Sequence, residues 1–157
     1  MTAATSMRCP LRFETLDEII EDARRTAAGP YHVVGRWSYG QILDHLACST
    51  KSAFDGFGFQ APWVLRSIVG PLVKRAFLYR PMRAGFRLPA SAAALMPAEE
   101  ATVEESLPRL LHELRRFGTE TPTAPHPLLG TLSHHESVQL CQRHSELHLS
   151  FVIREQT

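Results

Sequence analysis

Two histidines spaced four residues apart near the end of the chain are the residues best suited to chemistry. His144 and His148 lie in the stretch CQRHSELH, within an apolar pattern typical of a helix. Residues four apart on a helix share a face, with Cβ atoms about 5–6 Å apart, so both rings can reach one ion at the ~2.0–2.1 Å of a zinc–nitrogen bond. The pair is therefore either part of a metal site or a pair of packing residues.

A third ligand would have to come from another helix, because helical bundles build metal sites from side chains that project inward from facing helices. His45 is the best candidate, since it stands between Leu43 and Leu46 in a second apolar helical pattern. His112 lies on another predicted helix and is the reserve candidate. The remaining histidines are placed in loops or at a helix start: His32, His126, His134 and His135.

Two cysteines and two carboxylates lie close to the candidate ligands in the sequence. Cys48 and Cys141 are each three residues from a candidate histidine, so each shares a helix face with it. A fourth ligand or a redox switch is one reading, but small buried hydrophobic residues are favoured. Asp44 and Glu146 adjoin the histidines and could bind their free ring nitrogens. Adjacent helix positions point in different directions, so solvated surface charge is the favoured reading for both.

Local signals predict the helices that position these residues. A hydroxyl residue followed three positions later by Glu or Gln forms a capping box, which satisfies backbone donors at a helix start. Thr102 with Glu105 begins a predicted helix that runs to Gly118, although Pro108 is unfavourable inside it. Similar pairs begin the first, second and last predicted helices: Thr15 with Glu18, Ser38 with Gln41, and Ser133 with Glu136.

The remaining stretches complete the predicted architecture. WVLRSIVGPLVKRAFLY reads as a further helical segment with a kink or restart at Pro71, and RPMRAGFRLPASAAALMP as a long irregular connection. We find no convincing strand and no internal repeat. These patterns predict an all-α four-helix bundle with an extra helical segment and a long irregular connection. Residues 1–10 are expected to form a flexible N-terminus, and residues 11–157 a single domain.

The composition limits the class of protein. The 157 residues are 44% hydrophobic and 21% charged, and the net charge of +1 argues against a nucleic-acid-binding protein. Three cysteines without Cys-x-x-Cys spacing indicate neither a disulfide framework nor a zinc ribbon, and they favour a reducing compartment. The start of the chain lacks the apolar run of a signal peptide, and no stretch reaches the ~18 apolar residues that span a bilayer. We therefore expect a cytoplasmic location.

One segment, residues 56–98, contains no acidic residue. It mixes aromatic residues with six cations: Arg66, Lys74, Arg75, Arg80, Arg83 and Arg87. Three readings are open: an amphipathic helix on anionic lipid, a rim that attracts an anionic substrate, or a bundle helix with its apolar face inward. We favour the bundle helix, then the substrate rim, and predict no membrane contact.

Two longer stretches, GRWSYGQILDHLA and LLGTLSHHESVQLCQRHSELHLSFV, carry a family resemblance. They resemble the DinB-like, or YfiT-like, superfamily of four-helix-bundle proteins, and AGFRLPA and PHPLLG resemble one bacterial branch of it catalogued as a domain of unknown function. The resemblance runs from about Leu11 to Ile153. In that superfamily one histidine of the second helix and two of the last helix, four apart, hold a metal. The resemblance therefore implies that His45, His144 and His148 are metal ligands.

The resemblance also implies a function. Three imidazoles leave a coordination position open, as in catalytic zinc sites, and among divalent ions we favour zinc or nickel. Members of the superfamily include transferases that join low-molecular-weight thiols to electrophiles, and others described as metal-dependent hydrolases. A hydrolase needs a general base, and none is evident outside the three histidines, so thiol S-transferase-like chemistry on a small molecule is favoured. The alternatives are a metal-dependent hydrolase and a non-enzymatic, stress-related binding protein.

The expected partner, besides a small-molecule substrate, is a second copy of the chain. Bundles of this superfamily often form dimers, and the resemblance therefore implies a homodimer. Trp63 and Phe86 are apolar residues that could serve its interface.

Overall fold

The structure, a computed structural model, describes residues 8–85 and 89–155, which are mostly helical. A π-helical turn, Leu65–Val69, and a 3-10 helix, Ala90–Leu95, precede and follow the third α-helix. The two short strands are β1, Tyr31–Val33, and β2, Val152–Arg154. The α-helices are α1 Leu16–Ala27, α2 Tyr39–Asp55, α3 Gly70–Tyr79, α4 Val103–Arg116 and α5 His134–Leu149. Most of the flexible segment predicted over residues 1–10 lies outside the described residues.

The predicted helix starts are confirmed. Capping boxes begin α1, α2 and α5 at Thr15, Ser38 and Ser133, where each hydroxyl accepts from the backbone N–H three residues on. The Thr102 hydroxyl caps α4 by accepting from the backbone N–H of Glu105, without the reciprocal bond of a capping box, and Pro108 is accommodated inside that helix. These starts are predictable because a capping box is made by residues only three positions apart.

The prediction that the chain contains no strand is wrong. β1 pairs antiparallel with β2, with Tyr31 opposite Arg154 and Val33 opposite Val152. Strands of three residues are too short to show an alternating pattern, so they leave no signal in the sequence. The pairing joins the segment after α1 to the segment after α5, and it places His32 on a strand rather than in a loop.

The core lies between α1, α2, α4 and α5. α2 is central, because it packs along α4 and also contacts α5. A Cβ atom added at Gly40 of α2 would overlap the backbone carbonyl of Ala101, so the start of α2 lies directly against the segment that precedes α4. This agrees with the predicted bundle at the level of helices around one core. One buried side chain from each helix illustrates the packing: Ile19, Leu43, Leu110 and Leu149.

The expected inward orientation of the apolar residues in segment 63–79 is wrong. Leu72 is 77% exposed, Trp63 is 68% exposed and Ile68 is 57% exposed. The opposite side of α3 is the packed one, since Gly70 and Leu78 are buried. A Cβ on Gly70 would overlap the backbone carbonyl of Leu128, so the small residue decides which side of the helix packs.

Where the structure describes it, at residues 80–85 and 89–102, the connection between α3 and α4 is irregular, as predicted, except for the 3-10 helix. That helix carries the buried residues Ala92 and Leu95 and brings them against α2. Phe86, expected at an interface, and the cation Arg87 lie outside the described residues. None of the described helices is long and apolar enough to cross a bilayer.

Candidate metal centre

Two facing helices supply the candidate ligands. His45 is buried in the middle of α2, and His144 and His148 are partly buried one turn apart on α5. Because α2 contacts α5, the three side chains converge although 99 residues separate His45 from His144. The convergence predicted for these three histidines is therefore present in the structure.

The three rings are close enough to share one ion. One ring nitrogen from each histidine lies within 4.8 Å of those of the other two. The Nε2 atoms of His45 and His144 are 3.2 Å apart, and the ring centroids of His45 and His148 are 4.5 Å apart. Two nitrogens bound to the same ion at ~2.0–2.1 Å can lie about as far apart as the Nε2 atoms of His45 and His144, which are 3.2 Å apart. The donor set therefore fits a divalent ion.

A backbone carbonyl fixes the orientation of His45. Its Nδ1 atom lies 2.6 Å from the carbonyl oxygen of Leu95. Since a carbonyl can only accept, Nδ1 carries the hydrogen, and the unprotonated Nε2 faces His144. A hydrogen bond from the second ring nitrogen to a carbonyl or carboxylate is the usual support of a metal-binding histidine. His45 is thus held in the tautomer that a metal ligand requires.

Asp44 holds the segment that supplies this carbonyl. Its carboxylate accepts a hydrogen bond of 2.9 Å from the backbone N–H of Ala98 and forms an ion pair with Arg109 of α4. The expectation that Asp44 is solvated surface charge is therefore wrong, because its side chain is buried and paired. The carboxylate supports the centre through the loop, with no hydrogen bond to an imidazole ring.

Trp37 was not anticipated from the sequence as part of the centre. Its ring stacks on His148 with centroids 5.6 Å apart and an interplanar angle of 15°, and its centroid lies 4.9 Å from that of His45. The one available signal was its position immediately before the N-cap Ser38, where an apolar residue often packs against the first turns of a helix. Trp37 covers one side of the histidine cluster with an apolar surface.

Burial keeps the three imidazoles neutral. It lowers the pKa of His45, and it lowers that of His148 to about 3. Burial lowers the pKa of His144 well below its ordinary value, and the neighbouring His148 and His45 rings lower it further. Neutral imidazole is the form that binds a metal, so protons compete weakly for these nitrogens.

Residues 5–155 match a protein family described as "Protein of unknown function (DUF1569)". The chain belongs to the DUF1569 family. No curated protein and no solved structure gives a significant match. The DUF1569 assignment covers both helices of the centre, and it names no activity.

Glu146 has a structural role in this DUF1569 protein. Its carboxylate accepts a 2.6 Å hydrogen bond from the backbone N–H of Phe13 and forms a 2.9 Å ion pair with Arg143, which is fully buried. The expectation of solvated surface charge is therefore wrong here too. The partners of Glu146 come from α5 and from the segment before α1, so the carboxylate is already occupied.

The two cysteines do not join the cluster. Among the described residues, the group of closely spaced potential ligands contains the three histidines alone. Cys141 packs against the hydrophobic core near Thr50, and burial raises the pKa of its thiol to about 11. Burial also raises the pKa of the Cys48 thiol, which lies 3.9 Å from a guanidinium nitrogen of Arg109. The contacts of Cys141 agree with the favoured reading of a small hydrophobic residue.

The remaining histidines differ in their surroundings. His112, the reserve candidate, is exposed on α4, and His134 hydrogen-bonds the carbonyl of Phe117. His126 is partly buried, and its Nδ1 accepts hydrogen bonds from the backbone N–H groups of Leu128 and Leu129. His126 therefore orders the loop before α5 in its neutral form.

The neutral state of His126 makes stability depend on pH. Burial lowers the pKa of His126 from 6.5 to about 4, so between these values the unfolded chain binds a proton that the folded chain does not. The stability it confers is present above pH 6.5 and is lost as the pH falls towards 4. We expect His126→Asn, which keeps an acceptor, to reduce the slope of unfolding free energy against pH by up to about 1.4 kcal/mol per pH unit.

Urea unfolding at half-unit steps between pH 7 and pH 4.5 measures that slope for the wild type and the variant. His112→Asn removes an exposed imidazole and serves as the control. Equal slopes in the wild type and His126→Asn would show that His126 is not buried in its neutral form.

Proposed function

We propose that this chain is a metal-dependent enzyme of the DinB-like, or YfiT-like, superfamily that joins a low-molecular-weight thiol to an electrophilic small molecule. One observation carries the proposal. His45, His144 and His148 converge from two helices, while the Leu95 carbonyl fixes the ligand tautomer of His45. Because Nδ1 donates to that carbonyl, Nε2 of His45 keeps the lone pair that a metal ion would bind.

The surroundings of the histidines favour ligation over packing. Bringing several polar rings together in a poorly solvated site is unfavourable unless their nitrogens find partners. The Nε2 atoms of His45 and His144 face each other at 3.2 Å, so without an ion Nε2 of His144 must carry a hydrogen and donate it to Nε2 of His45, a bond that pairs only two of the three rings. A shared cation would satisfy all three rings at once, and imidazole ligation suits zinc or nickel.

The chemistry follows from the number of ligands. Three imidazoles leave at least one coordination position open, as in catalytic rather than structural zinc sites. A divalent ion bound there would lower the pKa of a thiol in that position and so supply a nucleophile at neutral pH. The apolar ring of Trp37 would exclude water from one side of the site. The sulfur would bond to the electrophilic carbon, the leaving group would depart with its electron pair, and the thiol proton would pass to solvent.

The state of the carboxylates favours a thiol over water as the nucleophile. Hydrolysis needs a nearby base to take a proton from water. The two carboxylates adjoining the ligands, Asp44 and Glu146, are occupied by Arg109 and Arg143. Because both carboxylates are held in these ion pairs, neither is free to serve as that base.

A thiol-consumption assay tests the function. Protein purified without an affinity tag is stripped with a chelator, reloaded with zinc or nickel, and incubated with glutathione or cysteine and monochlorobimane. We expect thioether formation that requires reloading and is lost in His45→Ala, while the exposed-site control His112→Ala retains it. Ester hydrolysis without thiol consumption would favour the hydrolase alternative. If the protein takes up neither ion, the proposal of a metal-dependent enzyme is refuted, and the histidines are packing residues.

A further inference from the structure

Segment 63–79 presents an apolar surface to solvent, which we call the outer face. The surface runs from the first residues of the segment, through the π-helical turn, to the end of α3. Single exposed apolar residues are common on proteins, but a contiguous set of large ones indicates an interaction site. The residues of the outer face are Trp63, Val64, Leu65, Ile68, Val69, Leu72 and Tyr79.

The spacing of these residues makes the outer face continuous. Ile68 and Leu72 are four residues apart, and Leu65 lies in the same π-helical turn as Ile68; all three side chains are exposed. Arg75 and Tyr79 extend the same interval by one turn each, and both are exposed. Arg75 therefore places a cation between the apolar residues Leu72 and Tyr79.

Within residues 8–85 and 89–155, no other element covers the outer face. α3 packs through its opposite side, where Gly70 and Leu78 are buried and Lys74 forms a 2.8 Å ion pair with Glu136 of α5. Burial of the outer face against the described residues would require α3 to turn over and lose these contacts. The part of the chain that the structure describes therefore leaves this surface exposed to solvent.

The segment that carries the outer face contains charged residues of one sign only. Residues 56–98 contain six of the 17 cations and none of the 16 acidic residues, so the segment carries +6 in a chain whose net charge is +1. Arg75, Arg80 and Arg83 are exposed. The segment therefore complements an anionic partner, whereas the remainder of the chain is net acidic.

We propose that the outer face docks on the surface of an anionic lipid bilayer. Its leucine and isoleucine side chains would enter the boundary between headgroups and acyl chains, and its arginines would contact acidic headgroups. Trp63 and Tyr79 stand at the two ends of the face and have the amphipathic rings that favour the headgroup region. This inference revises the expectation of no membrane contact, which assumed an inward apolar side.

Charge also distinguishes this partner from a second copy of the chain. In a two-fold dimer the same patch meets itself, so the arginines of one copy would face a segment that contains cations and no acidic residue. An anionic bilayer meets the same cations with opposite charge. The inference does not depend on the function proposed for the histidine cluster.

Vesicle cosedimentation tests the docking. The probes are vesicles of phosphatidylcholine alone and vesicles containing about one third phosphatidylserine, each at low and at high salt. We expect binding to the anionic vesicles only, weakened by salt, since screening reduces headgroup attraction. Ile68→Glu with Leu72→Glu, and separately Arg75→Glu with Arg80→Glu, should each reduce the bound fraction at least tenfold. These positions are exposed, and circular dichroism verifies that the variants fold.

A matched control tests whether position rather than total charge matters. Arg25→Glu with Arg115→Glu makes the same charge change at exposed sites on α1 and α4. This variant should retain most of the wild-type fraction bound to anionic vesicles. Equal loss in this control, equal binding to neutral vesicles, or no sedimentation at all would each overturn the proposal. A wild-type dimer that does not sediment, and that Leu72→Glu converts to monomer, would assign the outer face to a second copy instead.

Discussion

Under the proposed function, the His144→Ala variant is expected to lose metal binding. The substitution removes one of three candidate ligand nitrogens and leaves only His45 and His148 to bind an ion. Loss of an outer partner of a metal ligand already weakens affinity by about 10–100-fold, so removal of a ligand should weaken it by at least about 100-fold. Titration with zinc or nickel, with mass-spectrometric metal content of the purified protein, measures the change.

Thermal unfolding separates this result from a simple loss of stability. An ion that binds the folded chain raises the melting temperature, by an amount that grows with the logarithm of the ratio of free ion to its dissociation constant. We expect added zinc to raise the melting temperature of the wild type and of His112→Ala, and to leave that of His144→Ala unchanged. A wild type that gains nothing from zinc or nickel, and loses stability when His144 is replaced, would identify His144 as a packing residue.

The Glu146→Gln variant is expected to lose about 3–5 kcal/mol of unfolding free energy. Arg143 is fully buried, and one of its guanidinium nitrogens contacts both the Glu146 carboxylate and the Phe13 carbonyl. Glutamine preserves the shape of the side chain but leaves the Arg143 charge without its counter-ion in a poorly solvated place. Urea unfolding at pH 7 gives the loss directly.

A double substitution and a surface control sharpen this measurement. Removing both charges with Arg143→Met and Glu146→Gln should cost less than the sum of the single changes, because no uncompensated charge remains. Glu21→Gln breaks the exposed pair with Arg24 on α1 and should change stability little. A loss below about 1 kcal/mol in Glu146→Gln would mean that solvent or another group compensates the Arg143 charge.

The parts of the fold that depend on nearby residues could be predicted from the sequence. The helix starts at Thr15, Ser38 and Ser133 are encoded within four residues, and the shared face of His144 and His148 follows from helical spacing. Spacing does not reveal which helix α5 faces. The selection of His45 therefore depended on a family resemblance as well as on its apolar neighbours.

The parts that depend on distant residues could not be predicted. The burial of Asp44 is decided by Arg109, which lies 65 residues away, and that of Glu146 by a backbone N–H 133 residues away. The Leu95 carbonyl has no sequence signature, because every residue carries one. Periodicity showed that segment 63–79 has an apolar side, but only the close contact at Gly70 determines that this side faces outward.

The hydrogen bond from His45 to the Leu95 carbonyl has a consequence for how the chain can vary. The acceptor belongs to the backbone, so many apolar side chains at position 95 would preserve it, provided that they fill the same buried space. Its position depends instead on the number of residues between the 3-10 helix and Ala98, which Asp44 holds. Apolar substitutions at position 95 should therefore have little effect on this hydrogen bond. An insertion or deletion of one residue between position 95 and Ala98 would displace the Leu95 carbonyl and leave His45 without its hydrogen-bond acceptor.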